Sequence, residues 1–404
     1  MTVSRMREWT EEQTCLFQES LLNWYQTEQR LLPWRENTDP YRVWVSEIML
    51  QQTQVATVIP YFLRFMEWFP SIQALAEAPE DRLLKAWEGL GYYSRVRNMQ
   101  TAAKQIMTDY GGKMPKRPED ISALKGIGPY TAGAIASICF HLPEPAVDGN
   151  VMRIYSRLFS ICDDIAQAKT RKIFEGKVRQ TISPTQPGDF NQALMDLGAT
   201  VCTPTSPKCD ICPLAAYCSA HHAGRMTDYP VKTKKPKPVP VYYLAQVIQN
   251  SRGEFLLEQR NSQGVLSGMW TFPLREVTKA AYRCYLDGWR SYQQSKEAPT
   301  LFDLVAEDDG ETQANAFLEE LAVFGSQAVW QKQPVGEVTH IFSHLKWFIL
   351  LASGFERAGS ELTLKENQRW VAPEDFAAFV FPKPQQKMVA LLYKNNILKS
   401  VSDS

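Results

Sequence analysis

Four cysteines fall within seventeen residues in the order Cys202-x6-Cys209-x2-Cys212-x5-Cys218, a loop of soft thiolates short enough to wrap one metal centre. The other four, Cys15, Cys139, Cys162 and Cys284, are scattered singly. Clustering of this kind in a reducing compartment points to metal ligation rather than disulfides. Spacing alone leaves zinc and an iron-sulfur cluster both open. Two carboxylates also stand out, Glu47 in Ser-Glu-Ile-Met-Leu-Gln-Gln-Thr-Gln-Val and Asp148 in Ala-Val-Asp-Gly-Asn-Val-Met-Arg. By residue type alone, Glu47 reads as a solvated helix residue and Asp148 as the N-cap of the helix that follows. A third motif, Leu124-Lys-Gly-Ile-Gly-Pro-Tyr-Thr-Ala132, joins two short helices through Gly126 and Gly128. Missing side chains there let backbone N–H groups approach a ligand, and the positive end of the second helix points to the same place. That suits one phosphate, although two glycines between helices also make a plain tight turn.

The elements that must position these groups are mostly helical up to residue 225. Thr10-Glu-Glu-Gln13 reads as a capping box opening a helix with Leu16, Phe17, Leu21, Trp24 and Tyr25 on adjoining faces. Asp39-Pro40 is an N-cap followed by a proline suited to the first helical position. It predicts a helix from Pro40 to about Val58 with Glu47, Gln51 and Gln54 on one face. Further helices are predicted near 71–88, 94–110, 129–140, 149–160, 170–182 and 188–200. Residues 226–240 interleave Lys232, Lys234, Lys235 and Lys237 with Pro230, Pro236, Pro238 and Pro240, the composition of an extended basic linker. Beyond it, Val241–Gln249 and Glu254–Gln259 are β-like runs around Ser251-Arg-Gly253, a hairpin pattern. The expected architecture is multidomain. An all-α domain over 1–225 contains the glycine hairpin (120–141) and the cysteine loop (202–218), and the linker leads to an α+β domain over 241–404.

A length of 404 residues with 44% hydrophobic and 22% charged residues fits a globular protein of two or three domains. Lys plus Arg and Asp plus Glu are 44 each, so any polyanion site must be a local patch rather than a whole-molecule field. The charged N-terminus lacks a signal-peptide core, and no apolar run approaches the roughly 20 residues that span a bilayer. A soluble, cytoplasmic protein is expected.

Seven segments occur in the order of one family: Leu-Pro-Trp-Arg35, Ser46–Val55, Gly89-Leu-Gly-Tyr-Tyr-Ser-Arg95, the glycine hairpin, Val147-Asp-Gly-Asn-Val-Met-Arg153, Phe190–Ala199 and the cysteine loop. Across some 190 residues the chain resembles MutY-type adenine DNA glycosylases, of the helix-hairpin-helix class. The resemblance implies a 4Fe-4S cluster on Cys202, Cys209, Cys212 and Cys218. It implies Glu47 as the acid that protonates a departing adenine, and Asp148 as the anion facing the positive sugar electrostatically or through a transient bond. Asn150 and Tyr130 match positions that support them. Arg35 and Gln192 match residues around an extruded adenine, with Trp34 as a packing wall or a plain core residue. Gln52 and Tyr92 match wedge positions, and Gly126, Gly128 and Thr131 match the backbone-gripping hairpin. Related bifunctional glycosylases carry a Schiff-base lysine where Tyr130 stands, which implies a monofunctional enzyme.

The C-terminal part resembles a Nudix fold through Phe255-Leu-Leu-Glu-Gln-Arg260 and Gly264–Pro273. The magnesium-binding Arg-Glu-x-x-Glu-Glu signature is not intact, Glu319-Glu320 standing without the rest, so a recognition domain for 8-oxoguanine is implied rather than a pyrophosphatase. There Thr339–Lys346 matches the loop bearing Phe342, Ser343 and His344, to stack, to test N7-H and O8, and to contact phosphate. The implied partner is duplex DNA with adenine opposite 8-oxoguanine or guanine, bound by a monomer that is nucleoid-associated in a bacterium.

Overall fold

The computed structural model describes residues 9–234, 236–261, 264–294, 328–331, 334–357, 359 and 362–398. The chain divides into two compact units, one up to Lys235 and one from Pro236.

The first unit is helical: α1 (Glu11–Glu28), α2 (Pro40–Leu50), α3 (Val55–Trp68), α4 (Ile72–Glu77), α5 (Glu80–Ala86), α6 (Ser94–Asp109), α7 (Pro118–Ala123), α8 (Pro129–Phe140), α9 (Gly149–Phe159), α10 (Arg171–Thr181), α11 (Pro187–Thr200) and α12 (Ser219–His222). The Thr10–Gln13 capping box forms reciprocally at 3.1 and 3.2 Å. Asp39 caps α2 by accepting the Tyr41 N–H at 2.9 Å, with Pro40 in the first turn. The expected helix from Pro40 to Val58 is instead two. It ends at Leu50 and restarts at Val55, because Gln52 adopts a left-handed φ of 60° and the carbonyls at the end of α2 turn to the Arg95 guanidinium. The stretch 71–88 likewise breaks at Ala78-Pro79, where proline disfavours a helical residue before it.

Phe17, Leu21, Ile154, Tyr155, Phe190, Leu194 and Leu197 from α1, α9 and α11 form one buried cluster, and Cys202, Cys212 and Cys218 pack against it. Each large apolar side chain so buried contributes about 1.5–3 kcal/mol. The helices that carry Asp148 and Gln192 and the cysteine loop therefore share a single rigid core.

In the second unit, β1 (Val239–Gln249), β2 (Phe255–Gln259), β3 (Trp270–Thr271), β4 (Leu274–Val277), β5 (Ala328–Trp330), β6 (Gly336–Ile341), β7 (Leu345–Glu356) and β8 (Gln368–Val371) form a mixed sheet with α13 (Lys279–Gln294) and α14 (Lys383–Lys394). The expected hairpin exists, but β1 meets β2 only at Gln249↔Phe255. Its main partner is β7, parallel and in continuous register from Val239↔Leu345 to Gln249↔Phe355. Glu319-Glu320 lie outside the described residues.

Candidate active site

Helices α2, α8, α9 and α11 of the first unit surround a cleft of about 820 Å³. It brings together Glu47, Tyr130, Asp148 and Asn150, then Trp34, Arg35 and Gln192, and also Gln52, Gly128 and Thr131. Tyr92 and Gly126 do not line it. Trp34 is buried with its ring edge-on to Phe62, so it is a wall and a core residue at once.

Glu47 lies in the last turn of α2, 5% exposed, with Oε2 lacking a hydrogen-bond partner. Burial pushes its carboxyl up to about 7, with Asp148 adding to the shift and the Tyr130 hydrogen bond and Arg35 opposing it. Tyr130 is itself pushed well above the ordinary phenol range by burial and then by Glu47, so it is a neutral donor. This is the environment that keeps a proton on a carboxyl near neutral pH.

Asp148 is the N-cap of α9. Its Oδ1 accepts the Val151 N–H at 2.8 Å and its Oδ2 accepts the Asn150 amide at 2.9 Å. Its pKa is raised, not lowered as capping alone leads one to expect. Burial outweighs the Val151 and Asn150 bonds, and those donors remain aimed at the carboxylate. Asn150 accepts from Arg153 Nη2 at 2.9 Å, and Arg153 donates onward to the carbonyls of Gly198 at 2.7 Å and Cys202 at 2.8 Å. Gly198 has to be glycine here, since a Cβ would stand 2.5 Å from Asn150 Cβ.

Sequence reasoning missed the support behind Arg35. Asp196 of α11 is fully buried and accepts from Arg35 Nη1 at 2.7 Å, Arg35 Nη2 at 3.0 Å and Arg30 Nε at 2.8 Å. Burial alone would push its carboxyl up, but these arginines more than offset that and hold it below the usual range. The position falls inside the motif Phe190–Ala199, and no local signal separates it from a surface aspartate.

In the hairpin, Gly126 has φ 80° and a Cβ there would stand 2.7 Å from Asn98 Cβ, while Gln105 accepts the Lys125 N–H at 2.9 Å. Gly126 is thus required by the fold of the turn. Gly128 caps α8 with open space around its Cβ position, so a ligand can approach its backbone. In the second unit, Phe342 to Leu345 make the turn between β6 and β7, closed by Phe342 N–H to Leu345 O at 2.7 Å. The Phe342 ring is half-buried between His340 and Trp347, at 4.6 and 4.9 Å between centroids, while Ser343 and His344 are exposed.

Residues 45–180 match the family model of HhH-GPD superfamily base excision DNA repair proteins, 202–218 the iron-sulfur binding domain of endonuclease III, and 244–391 the NUDIX domain. The adenine DNA glycosylase of Rattus norvegicus is 34% identical over 413 residues, covering 89% of this chain and 74% of that protein. The chain belongs to the adenine DNA glycosylase family. The Homo sapiens member is 33% identical over 415 residues, covering 89% of this chain and 71% of that one. The member from Buchnera aphidicola subsp. Baizongia pistaciae is 38% identical over 262 residues, covering 64% and 74%. As a glycosylase of this family the protein is an enzyme that hydrolyses N-glycosidic bonds. It has a helix-hairpin-helix first domain, a Nudix-like second domain and a 4Fe-4S cluster. No helix among the described residues is long and apolar enough to cross a membrane.

The cysteine loop fits that cluster. All four cysteines line one small pocket, and N–H groups of Leu214, Ala220 and His221 bond the sulfurs of Cys212 and Cys218. Arg157, 2% exposed, donates to Cys202 Sγ at 3.2 Å and to the carbonyls of Thr203, Pro204 and Met226 at 2.8–2.9 Å. Among the described residues no three ligating side chains are grouped as around a single metal ion. A lone zinc would hold all four sulfurs at about 2.3 Å from one ion, whereas a four-iron cluster spreads them over separate irons. When bound, the cluster supplies a cross-link for the loop that Arg153 and Arg157 tie to α9.

Proposed function

We propose that this chain is a monofunctional glycosylase that flips adenine out of duplex DNA and excises it where it is paired with 8-oxoguanine or guanine, leaving an abasic site. The observation that carries the reading is Glu47, a buried carboxyl raised to about 7, with an unpartnered oxygen in the cleft that also holds Asp148. Adenine leaves poorly as an anion. Glu47 donates its proton to a ring nitrogen as the glycosidic bond breaks and the bonding pair passes to the base. Asp148, held by Asn150 and Val151, faces the cationic sugar, and water then adds to C1′, its spare proton returning to the Glu47 carboxylate. The Tyr130 hydroxyl keeps Glu47 in place.

Tyr130 precedes Thr131-Ala132, where a Schiff-base enzyme needs an amine, and a phenol cannot form that adduct. Trp34, Arg35 and Gln192 surround the extruded base, while Gln52 and Tyr92 fill the gap it leaves. Gly126, Gly128 and Thr131 grip the backbone. In the second unit, Ser343 both donates and accepts, which suits a test of N7-H and O8 on the opposite base, with His344 toward phosphate and Phe342 as support.

Single-turnover cleavage of duplexes with adenine opposite 8-oxoguanine, guanine or cytosine tests the reading. Excision opposite the first two, its loss in Glu47→Gln, and no borohydride-trapped adduct as main product are expected. Excision that survives Glu47→Gln, or a trapped adduct as the main product, overturns it.

A further inference from the structure

Gln52 and Tyr92 are non-glycine residues at φ 60° and 49°, a left-handed conformation that long side chains rarely adopt. Both are exposed, Tyr92 at 47%. The turn at Gln52 has little holding it from within. Thr53 N–H reaches Leu50 O at 3.3 Å and its hydroxyl reaches Gln51 O at 3.4 Å.

Arg95 joins the two turns. Its Nη1 donates to the carbonyls of Ile48 at 2.6 Å, Met49 at 3.3 Å and Gln51 at 2.7 Å, and its Nη2 to those of Leu90 at 3.3 Å and Gly91 at 3.2 Å. The guanidinium also lies 5.3 Å from the Trp87 ring centre and 5.5 Å from that of Tyr92. One planar fork thus closes α2, whose last turn carries Glu47, and binds it to the turn at Gly91-Tyr92. No carboxylate pairs with Arg95 among the described residues, and burial draws its pKa down to about 10. A half-buried cation whose Nη donors go to carbonyls, whose face lies on two rings and whose Nε has no partner is a costly way to fill a core; what it does achieve is the geometry of the two turns.

We propose that Arg95 is a positioning residue for base extrusion, locking the turns that present Gln52 and Tyr92 into one rigid wedge on the helix that carries Glu47. The proposal rests on the reading that those two side chains enter the duplex. Unstacking a base opposes the wedge, and two turns free to fold back would yield in its place. Lysine cannot substitute, because an ammonium lacks the two-armed fork that reaches both turns.

The test is stopped-flow fluorescence with 2-aminopurine at the target position opposite 8-oxoguanine, where wild type should give a rise as the base unstacks. Arg95→Lys should slow that rise about tenfold or more, the scale of one or two lost charged hydrogen bonds, while binding to a duplex already abasic at the target changes far less. In a Gln52→Ala, Tyr92→Ala background, Arg95→Lys should add nothing. A purely structural role predicts an added loss there, and that result, or an unchanged rise in Arg95→Lys alone, overturns the proposal. If Gln52→Ala, Tyr92→Ala extrudes the base like wild type, the wedge reading itself has failed, and the proposal with it. Hydrogen exchange of the unmodified protein decides the matter if Arg95→Lys does not fold. Peptides spanning 48–54 and 89–93 should open as one unit and gain protection together on DNA, and independent exchange refutes the lock.

Discussion

Glu47→Gln should abolish excision and at the same time stabilise the protein, by an amount that depends on pH. The carboxyl ionises near 4.5 in the unfolded chain and at about 7 in the folded one. Below pH 4.5 both states hold the proton and the site is neutral. As pH rises the unfolded state ionises first, so the folded state loses its advantage steadily until pH passes 7, where the buried carboxylate must form as well. The gap corresponds to about 3 kcal/mol, undiluted by solvent because the side chain is buried. Glutamine keeps the shape and never ionises. Relative to wild type, Glu47→Gln should therefore gain little at pH 5 and about 3 kcal/mol by pH 8. For a unit of this size that is roughly 6–12 °C in melting temperature. Any fixed cost from the new amide, whose partner at the orphaned Oε2 position is missing, shifts all points equally and leaves the slope intact. Paired melting curves at half-unit steps from pH 5 to 8.5, with excision assayed on the same samples, give the answer. A difference that does not grow with pH would mean that Glu47 holds no proton in the folded enzyme near neutrality, and the acid role would go with it.

The same protonation predicts that single-turnover excision falls tenfold per unit on the alkaline side of about pH 7. Arg35→Met, which removes a charge that lowers the Glu47 pKa, should move that limb upward even as it weakens the reaction; a limb that stays put or moves down refutes the coupling. Arg157→Met should strip Cys202 Sγ and the carbonyls of Thr203, Pro204, Met226 and Tyr229 of their donor, with loss of visible absorbance and iron on purification; a fully loaded variant would show that the loop holds the cluster without α9. Replacing Phe342 and Ser343 by Ala should erode the preference for 8-oxoguanine over guanine by about tenfold, the scale of one specific base contact, and competitive excision of the two duplexes measures it. An unchanged ratio removes the assignment.

What could be read from the chain, and what could not, divides along the range of the interactions. The Thr10 and Asp39 caps and the four-cysteine loop are local, set by residues within a few positions of one another. The break between α2 and α3 carries no glycine or proline and looks helical by residue type; it is enforced by a guanidinium 44 to 47 positions further along. Asp196 reads as an ordinary polar residue until Arg30 and Arg35, 166 and 161 positions away, reach it. β1 shows its hairpin neighbour in the sequence but not β7, its parallel partner across the unit. In the first unit the hidden features are of one kind, arginines that spend their donors on buried acceptors, mostly carbonyls and one carboxylate. Arg30 and Arg35 converge on Asp196, Arg95 joins two turns, Arg153 runs from Asn150 to Cys202, and Arg157 holds the cysteine loop. Charge counts cannot expose them, since the first 225 residues hold as many acids as bases. A guanidinium so committed is withdrawn from the surface and gives little field to DNA, so the salt dependence of binding should reflect fewer phosphate contacts than the arginine content implies.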